Sequence, residues 1–300
     1  MSGIELRRLV DVPLADAVDA WNDGFSDYYV RLPMTAAAFA ATKFGNEGVS
    51  PELSFVAYAD GRPAGLLLTA MRTIGGERLA WNAGTCVHPD RRGSGIGAAL
   101  LSRAVETYRE QRADAAYLEA FVQNEGAIRL YRRFGYEPFD TVYGMEAKRG
   151  VDWGGAFDAG PADAGSAVES RPVSAAAALE RRYSPVPTPW QTRWPSAKGG
   201  EALIASRADG EPFGYALFRR SASATTLLQC AADPALPSDD AEAVLRRLLG
   251  RVFEPAEGEA SDVRRRVFAA PASQPSLRAA LAAAGFEETY ALTHMRLRLS

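Results

Sequence analysis

A glycine-rich run directly before a predicted helix is the segment of this chain best suited to chemistry. It reads Arg92-Gly-Ser-Gly-Ile-Gly97 and follows a strand that ends near Pro89. Backbone amides at a helix N-terminus attract anions, and glycine lets the main chain approach phosphate oxygens because it has no Cβ. Arg91 and Arg92 add side-chain donors. The run therefore predicts a pyrophosphate-binding loop.

Three ligand classes and one purely structural interpretation compete for this loop. A nucleoside triphosphatase would need Lys-Ser/Thr after the last glycine, where this chain has Ala98-Ala99. A dinucleotide-binding fold would place its glycines in the first strand-to-helix turn, whereas several predicted strands precede this loop. An acyl-CoA site is the third class. The structural alternative is a tight strand-to-helix turn that binds nothing.

A second motif follows downstream, with Asn124, Tyr131 and then Gly135-Tyr136. In order and spacing, the two motifs resemble the signatures of the GCN5-related N-acetyltransferase (GNAT) superfamily. The first signature is Arg/Gln-x-x-Gly-x-Gly/Ala after Val87-x-Pro89, and the second is Asn-x6-Tyr-x3-Gly-Phe/Tyr. The direct resemblance covers about residues 50–147, and residues 1–50 fit the strand and two helices that this superfamily has upstream.

The resemblance implies a role for each matching residue. The strand ending at Cys86-Val87 would diverge from the strand that contains Phe121, and pantetheine would lie in the gap. The Val87 amide would stabilise the oxyanion of the tetrahedral intermediate, and Asn124 would hydrogen-bond the pantetheine arm. The residues expected to bind acetyl-CoA are Cys86, Val87, Arg92, Gly93, Ser94, Gly95, Ile96, Gly97, Ala98 and Asn124.

Acetyl transfer by direct attack also needs a proton for the departing thiolate and a base for the amine. Tyr131 is predicted to be the general acid, because a phenol with a pKa of about 10 keeps its proton until the thiolate forms. Its alternative is a core tyrosine. Glu119 is the candidate base, acting through water, and a solvent-facing strand residue is the alternative. His88 is disfavoured as a base because it lies at the strand end, between Val87 and Pro89.

The acceptor pocket is expected to form from the first helices and the loop that joins them. Asp27 and Tyr28 are predicted to bind a cationic amine through charge and cation–π contact. Trp21 is assigned to the core on its helical spacing. Trp81 and Asn82 are predicted to line the acceptor side of the cleft.

These motifs require a mixed α/β framework, in which a mixed sheet is flanked by helices. Asp60-Gly61 predicts a tight hairpin turn, and apolar residues at helical spacing predict the helix after the glycine-rich run. The predicted strands are 4–10, 54–58, 63–71, 78–87, 115–122 and 136–147, and the predicted helices are 14–23, 35–44, 97–112 and 125–134.

The first half of the chain is echoed in the second. Asp60-Gly61 recurs as Asp209-Gly210, and Gly135-Tyr136 recurs as Gly285-Phe286. Collinear order favours a tandem duplication. The predicted organisation is a catalytic GNAT acetyltransferase domain at 1–150, a linker at 151–169 and a second GNAT-like domain at 170–300.

The second copy is predicted to be degenerate. Counting from Pro234 as from Pro89, and from Gly285 as from Gly135, the replacements are Pro237 for Arg92, Asp240 for Gly95, Glu242 for Gly97, Gln274 for Asn124 and Leu281 for Tyr131. Carboxylates and missing glycines would repel a pyrophosphate. Such a domain would serve packing, the shape of the acceptor pocket, or dimerisation into a homodimer.

Composition limits the function classes further. A net charge of −3 argues against a nucleic-acid partner, and two cysteines with two histidines argue against a disulfide framework or a metal site. No apolar stretch reaches the length of a membrane helix, and no signal core begins the chain. The expectation is a cytoplasmic protein that does not bind membranes.

The sequence therefore predicts an acetyl-CoA-dependent N-acetyltransferase that acts on a primary amine of a small molecule and uses no metal. Two alternatives stay open. One is an acyl-CoA-binding sensor or assembly protein without catalysis. The other is a transferase that uses a different acyl donor or a protein amine.

Overall fold

The computed structural model describes residues 3–148, 151, 153, 155–157, 167–184, 187–260 and 262–299. The chain forms two compact units, Met1–Phe139 with His294–Ser300 and Asp140–Thr293. The sequence had divided the chain at 150 and 170 instead. The boundaries differ from the predicted ones because residues 140 and 294 lie within strands, and each of these strands has residues in both units. The predicted linker lies largely outside the described residues.

The first unit is a mixed sheet with helices, as the sequence predicted. Its complete strands run in the order β1-β2-β3-β4-β5, and the end of β12 lies beside β5. The strands are β1 (Glu5–Arg8), β2 (Phe55–Ala59), β3 (Arg62–Ile74), β4 (Glu77–Val87) and β5 (Ala115–Phe121), with the first residues of β6 (Glu137–Ala147) and the last residues of β12 (Phe286–Arg298). The helices are α1 (Leu14–Gly24), α2 (Ala36–Phe39), α3 (Ile96–Glu110) and α4 (Glu125–Arg133).

Local sequence explains most of these elements. Asp60 and Gly61 both have positive φ, 52° and 74°, as a two-residue hairpin turn between β2 and β3 requires. In α3 the predicted apolar positions, among them Leu100, Ala104 and Tyr108, are all buried against the sheet. The helix predicted at 35–44 differs in detail. It begins at the Thr35 cap, as α2, and continues as a π-helix over Ala40–Asn46.

Glycine at position 65 lets α3 pack closely on β3. A Cβ there would lie 2.9 Å from Ile96 Cγ2 and 3.2 Å from Leu100 Cδ1. Real Cβ atoms do not come so close, so any larger residue would displace the start of α3. Because the glycine-rich loop enters α3 at that end, this contact fixes the position of the loop.

The second unit repeats the element order of the first. Its strands run in the order β6-β11-β10-β9-β8-β7, with the first part of β12 beside β6. They are β7 (Ala167–Arg171), β8 (Glu201–Ser206), β9 (Pro212–Arg220), β10 (Ala224–Ala232) and β11 (Arg264–Pro271). The helices are α5 (Ala176–Tyr183), α6 (Ser238–Phe253) and α7 (Pro275–Ala283). No helix in the described part of the chain is long and apolar enough to span a membrane.

Candidate active site

A cleft of about 720 Å³ opens in the first unit, a volume typical of small-molecule sites. It is formed by the loop after α1, the end of β4, the glycine-rich loop, the start of α3, and α4. Most residues predicted from the sequence line it, namely Asp27, Tyr28, Cys86, Val87, Arg92, Gly93, Gly95, Ile96, Gly97, Ala98, Asn124 and Tyr131. Ser94 instead closes the loop, because its hydroxyl donates to the Arg91 carbonyl at 2.6 Å.

The gap expected between two parallel strands is present. β4 and β5 pair from Leu79 with Ala115 to Trp81 with Tyr117, and no further pairing follows before β4 ends at Val87. The pairing of β4 with β3 is irregular at the same level, at Gly84, whose φ is 151°. The ring of Trp21 fills the space beside this glycine, where a Cβ would lie 2.9 Å from Cζ3.

The glycine-rich loop has the geometry of an anion cradle. Gly93 and Gly95 have left-handed φ values of 76° and 92°, which residues with a Cβ adopt at a cost. Gly95 is the N-cap of α3, so the amides of the first helical turn have no partner within the helix. Gly97 lies close to α4, since a Cβ would stand 3.3 Å from Leu130 Cδ2.

Arg92 and Asp27 were predicted to bind different substrates, and the structure brings them together. The two guanidinium nitrogens of Arg92 each donate to one Asp27 oxygen at 2.6 Å. Arg92 also donates to the carbonyls of Gly24 at 3.2 Å and Val87 at 3.3 Å. The hydrogen bonds from Arg92 to Asp27 hold the pKa of the Asp27 carboxyl below its ordinary range. Arg92 therefore joins the glycine-rich loop to the loop after α1.

Tyr131 lines the cleft, and its ring is buried. Burial raises the pKa of its phenol well above the ordinary value, and a hydrogen bond with Thr85 offsets part of that effect. The phenol is therefore protonated throughout the neutral range. Asn124 caps α4 by accepting from the Ala127 amide at 3.2 Å, and its side chain also bonds the phenol of Tyr28.

Cys86 contributes its backbone to the cleft rather than a reactive thiol. Its Sγ donates to the Ala20 carbonyl at 3.3 Å inside the core. Burial raises the pKa of the thiol to about 12, so a thiolate is absent at neutral pH. Among the described residues, no three His, Cys, Asp or Glu side chains converge as metal ligands.

Glu119, Trp81 and Asn82 lie outside the residues that line the cleft. Glu119 is largely buried, with 10% of its side chain exposed, so the solvent-facing alternative does not describe it. Its Oε2 accepts from the Trp81 indole at 2.8 Å. Asn82 braces the irregular part of β4 through Thr85 Oγ1 at 2.8 Å and the Gly84 amide at 3.2 Å. Trp81 and Asn82 therefore hold neighbouring groups in place, rather than facing the cleft as the sequence predicted.

Among the residues at or near this site that were not predicted from the sequence, Thr85, Tyr29 and His294 bear on its chemistry. Thr85 bonds Tyr131 and could have been found from its position beside the first motif. Tyr29 lines the cleft, next to the predicted Tyr28. His294 lies 3.2 Å from Glu119, and no local pattern marks it because it is so distant along the chain.

The equivalent region of the second unit is built differently. Gly214 packs on α6 as Gly65 packs on α3, and a Cβ there would lie 2.6 Å from Val244 Cγ1. Val244 therefore stands where Ile96 stands. Ile96 begins α3, whereas α6 already begins at Ser238.

This packing corrects the correspondence counted from Pro234. Val244 corresponds to Ile96 and Leu248 to Leu100, so the residues before Val244 are helical, whereas those before Ile96 form the glycine-rich loop. The earlier count failed because the two helices begin at different points. Helices α4 and α7 have equal lengths. Gln274 precedes α7 as Asn124 precedes α4, and Leu281 lies at the same position in α7 as Tyr131 in α4.

Comparison with known proteins supports this architecture. Residues 14–136 match the Acetyltransferase (GNAT) family. An uncharacterized N-acetyltransferase of Methanocaldococcus jannaschii is 33% identical over 93 residues, 30% of this chain and 41% of that protein. N-alpha-acetyltransferase MAK3 of Arabidopsis thaliana is 32% identical over 104 residues, 33% of this chain and 55% of that protein. The matched segment thus spans about half the length of these relatives.

A solved structure resembles nearly the whole chain. It is a tandem GNAT protein from the clavulanic acid biosynthesis pathway, with a TM-score of 0.62 at 17% identity and coverage of 99% of both chains. At that identity the likeness concerns the fold. Residues 14–136 are thus similar to the Acetyltransferase (GNAT) family, and the whole chain shares its mixed α/β fold with that tandem GNAT protein.

Proposed function

We propose that the first unit transfers an acetyl group from acetyl-CoA to a primary amine by direct attack. The observation that carries this proposal is the placement of a buried, protonated phenol, Tyr131, in the same cleft as the glycine-rich loop. A phosphate-binding loop alone would fit many ligands. An acid in the same cleft is what a departing thiolate requires.

The donor fits the chain at two points. The left-handed Gly93 and Gly95 and the free amides at the start of α3 suit the pyrophosphate of CoA. The gap between β4 and β5 suits the extended pantetheine arm, with Asn124 at its edge. Acetyl-CoA would supply a thioester there, which is already activated toward an amine. Enzymes of the matched family use this donor.

The chain would then manage two protons and one oxyanion. The bound ammonium first releases one proton to solvent. As the neutral amine nitrogen then bonds the carbonyl carbon, a second proton passes through water to Glu119. The Val87 amide stabilises the negative oxygen. When the carbon–sulfur bond breaks, Tyr131 gives its proton to the thiolate and regains one from solvent. Atoms and charges balance without a metal or an oxidant.

The acceptor we propose is a small primary amine that enters beside the loop after α1. Aromatic rings line this entrance, since Phe121 lies 5.4 Å from both Tyr28 and Tyr29 between ring centroids. Asp27 is engaged with Arg92, so cation–π contact with these rings is the stronger recognition element. A peptide amino terminus is the second candidate, because one relative is named an N-alpha-acetyltransferase.

We further propose that the second unit binds no CoA. Val244 and its neighbours lie inside α6, where backbone amides already bond the preceding turn. An anion would find no free amides at the position where α3 offers them. Asp239 and Asp240 also place negative charge in the first turn of α6.

A screen of polyamines, amino acids, aminoglycosides and short peptides would test the activity. Release of free thiol from acetyl-CoA in the presence of one amine, with the acetylated amine identified by mass, is the expected result. Tight binding of acetyl-CoA without turnover of any amine would instead favour the sensor or assembly protein. Turnover with longer acyl-CoA donors only would change the donor and keep the site.

A further inference from the structure

His294 is one of two histidines in the chain and is 1% exposed. The other, His88, lies in the turn after β4, where its Nδ1 accepts from the Asp90 amide at 3.2 Å. His294 stands on the last part of β12, within the first unit. Its ring packs on Phe139 at 4.3 Å and near Tyr117 at 5.8 Å between centroids.

The imidazole meets the carboxylate of Glu119. His294 Nε2 lies 3.2 Å from Glu119 Oε1, while the Trp81 indole donates to Oε2 at 2.8 Å. The indole comes from β4 and the imidazole from β12, on either side of the strand that carries Glu119. The indole thus donates to one carboxylate oxygen, and the imidazole lies within reach of the other.

Glu119 lies on the acceptor side of the sheet. Along β5 the residues Ala116, Leu118 and Ala120 face the core that contains α3. By alternation, Glu119 faces the opposite side with Tyr117 and Phe121. The ring of Phe121 contacts Tyr28 and Tyr29, which line the cleft. The carboxylate thus stands one step along the strand from the entrance assigned to the amine.

We propose that His294 is a positioning residue, which holds Glu119 in the geometry from which it accepts the proton of the amine. The proposal rests on the acetyl transfer proposed above, with Glu119 as its base. In this arrangement His294 donates from Nε2 and contacts neither donor nor acceptor. Without that donor, a largely buried carboxylate would lose a group that favours its charged form and its present rotamer.

The groups around His294 are compatible with this role. Glu119 is the carboxylate that faces it, and Tyr117 is the nearby phenol on the same strand. From β6 the neighbour is Phe139, on which Arg296 of β12 also stacks at 5.7 Å. Arg296 on the same strand is therefore directed at an aromatic ring, while Nε2 of the imidazole faces the carboxylate.

Nuclear magnetic resonance can test the contact in the full chain without any substrate. In the variant His88→Gln, ¹⁵N-labelled histidine reports on His294 alone. We expect a proton on Nε2 at pH 7, and a change in that resonance on Glu119→Ala. The exposed Glu137→Ala, also in the first unit, should leave the resonance unchanged. An unprotonated Nε2, or no response to Glu119→Ala, would overturn the proposal.

Kinetics with the amine found in the screen test the role. His294→Met should lower kcat by about 10-fold or more, with the KM for acetyl-CoA unchanged, and His294→Gln should restore most of it by offering a donor. In a Glu119→Gln background, His294→Met should have no further effect. Equal losses in both backgrounds would indicate a merely structural residue.

The outcomes separate this proposal from the function on which it rests. If Glu119→Gln keeps full activity, the positioning role is overturned and the acetyl transfer stands. If no amine is acetylated by the unaltered protein, both are overturned.

Discussion

Arg92 and Asp27 form a bidentate ion pair, with both nitrogen–oxygen distances at 2.6 Å. Both side chains are about half exposed, so the pair adds little to stability. Its consequence is positional, because it ties the loop after α1 to the glycine-rich loop. Since the pKa of Asp27 is lowered, the pair stays charged throughout the neutral range and is lost only on acidification below the ordinary carboxyl range.

The first prediction concerns this pair. Arg92→Glu should weaken acetyl-CoA binding at least 10-fold, on the scale of a lost charge-assisted hydrogen bond, about 1.5–3 kcal/mol. Asp27→Asn should keep or improve that affinity because it releases the guanidinium. Calorimetry measures both, with the exposed Arg109→Glu on α3 as the charge-matched control. Unchanged affinity in Arg92→Glu would assign binding to the backbone amides alone.

The second prediction concerns the phenol of Tyr131, which lines the cleft. Tyr131→Phe should lower kcat by about 100-fold or more, the usual contribution of a general acid. Affinity for acetyl-CoA should change little, since only the hydroxyl is removed. Tyr108→Phe is the matched control, because it removes another buried phenol that lies outside the cleft. Equal kcat for Tyr131→Phe and the unaltered protein would transfer the acid role to water or another residue.

The sequence predicted those parts of the candidate site that are local along the chain. The glycine-rich loop, the capping Asn124 and the buried Tyr131 each follow from residues within one or two turns of each other. The Asp60-Gly61 turn was predictable for the same reason, because two positive φ values restrict the residue types. Side-chain partners were not predictable. Arg92 with Asp27 and Glu119 with His294 meet only through tertiary packing.

The point at which α6 begins could not be predicted by aligning the two copies. Counting from a proline assumes that two segments have the same length up to their helix. The approach of Gly65 to Ile96 and of Gly214 to Val244 shows that α6 begins earlier than α3 relative to the sheet. A helix start depends on capping and packing together, so a short repeat without further identities did not determine it.

The third prediction follows from the residues at which α3 and α6 begin. Acetyl-CoA should bind with a stoichiometry of one per chain, in the first unit. Calorimetry on the full chain measures this number. Arg92→Glu combined with Gly95→Trp should abolish binding, because the second unit offers no free amides near Val244. Two sites per chain, or binding that survives in the double variant, would contradict the proposed silence of the second unit.

The fourth prediction is a dependence of stability on alkaline pH. Burial raises the pKa of Tyr108 to about 12, while the unfolded chain ionises near 10. Between these values the unfolded state loses a proton that the native state keeps, so stability is complete below pH 10 and declines from there toward pH 12. Urea unfolding at pH 8 and pH 11 should differ by more than about 1 kcal/mol, and Tyr108→Phe should reduce the difference. An identical pH dependence in this variant would assign it to other groups.

The last prediction concerns residues 294–299, which belong to the first unit. Met295 and Leu297 are buried in the same core cluster as Tyr131 and Tyr136, and the Leu299 amide donates to the Asp114 carbonyl at 3.0 Å. Removing residues 294–300 should therefore destabilise the first unit and abolish activity, whereas Arg298→Ala, at an exposed position, should do neither. Met295→Ala should by itself cost about 2–5 kcal/mol, the range for truncating a buried methionine. Chemical unfolding measures the free energies, and the thiol-release assay measures activity. A stable and fully active chain that ends at Thr293 would show that neither the core cluster nor the Glu119 site needs the last strand.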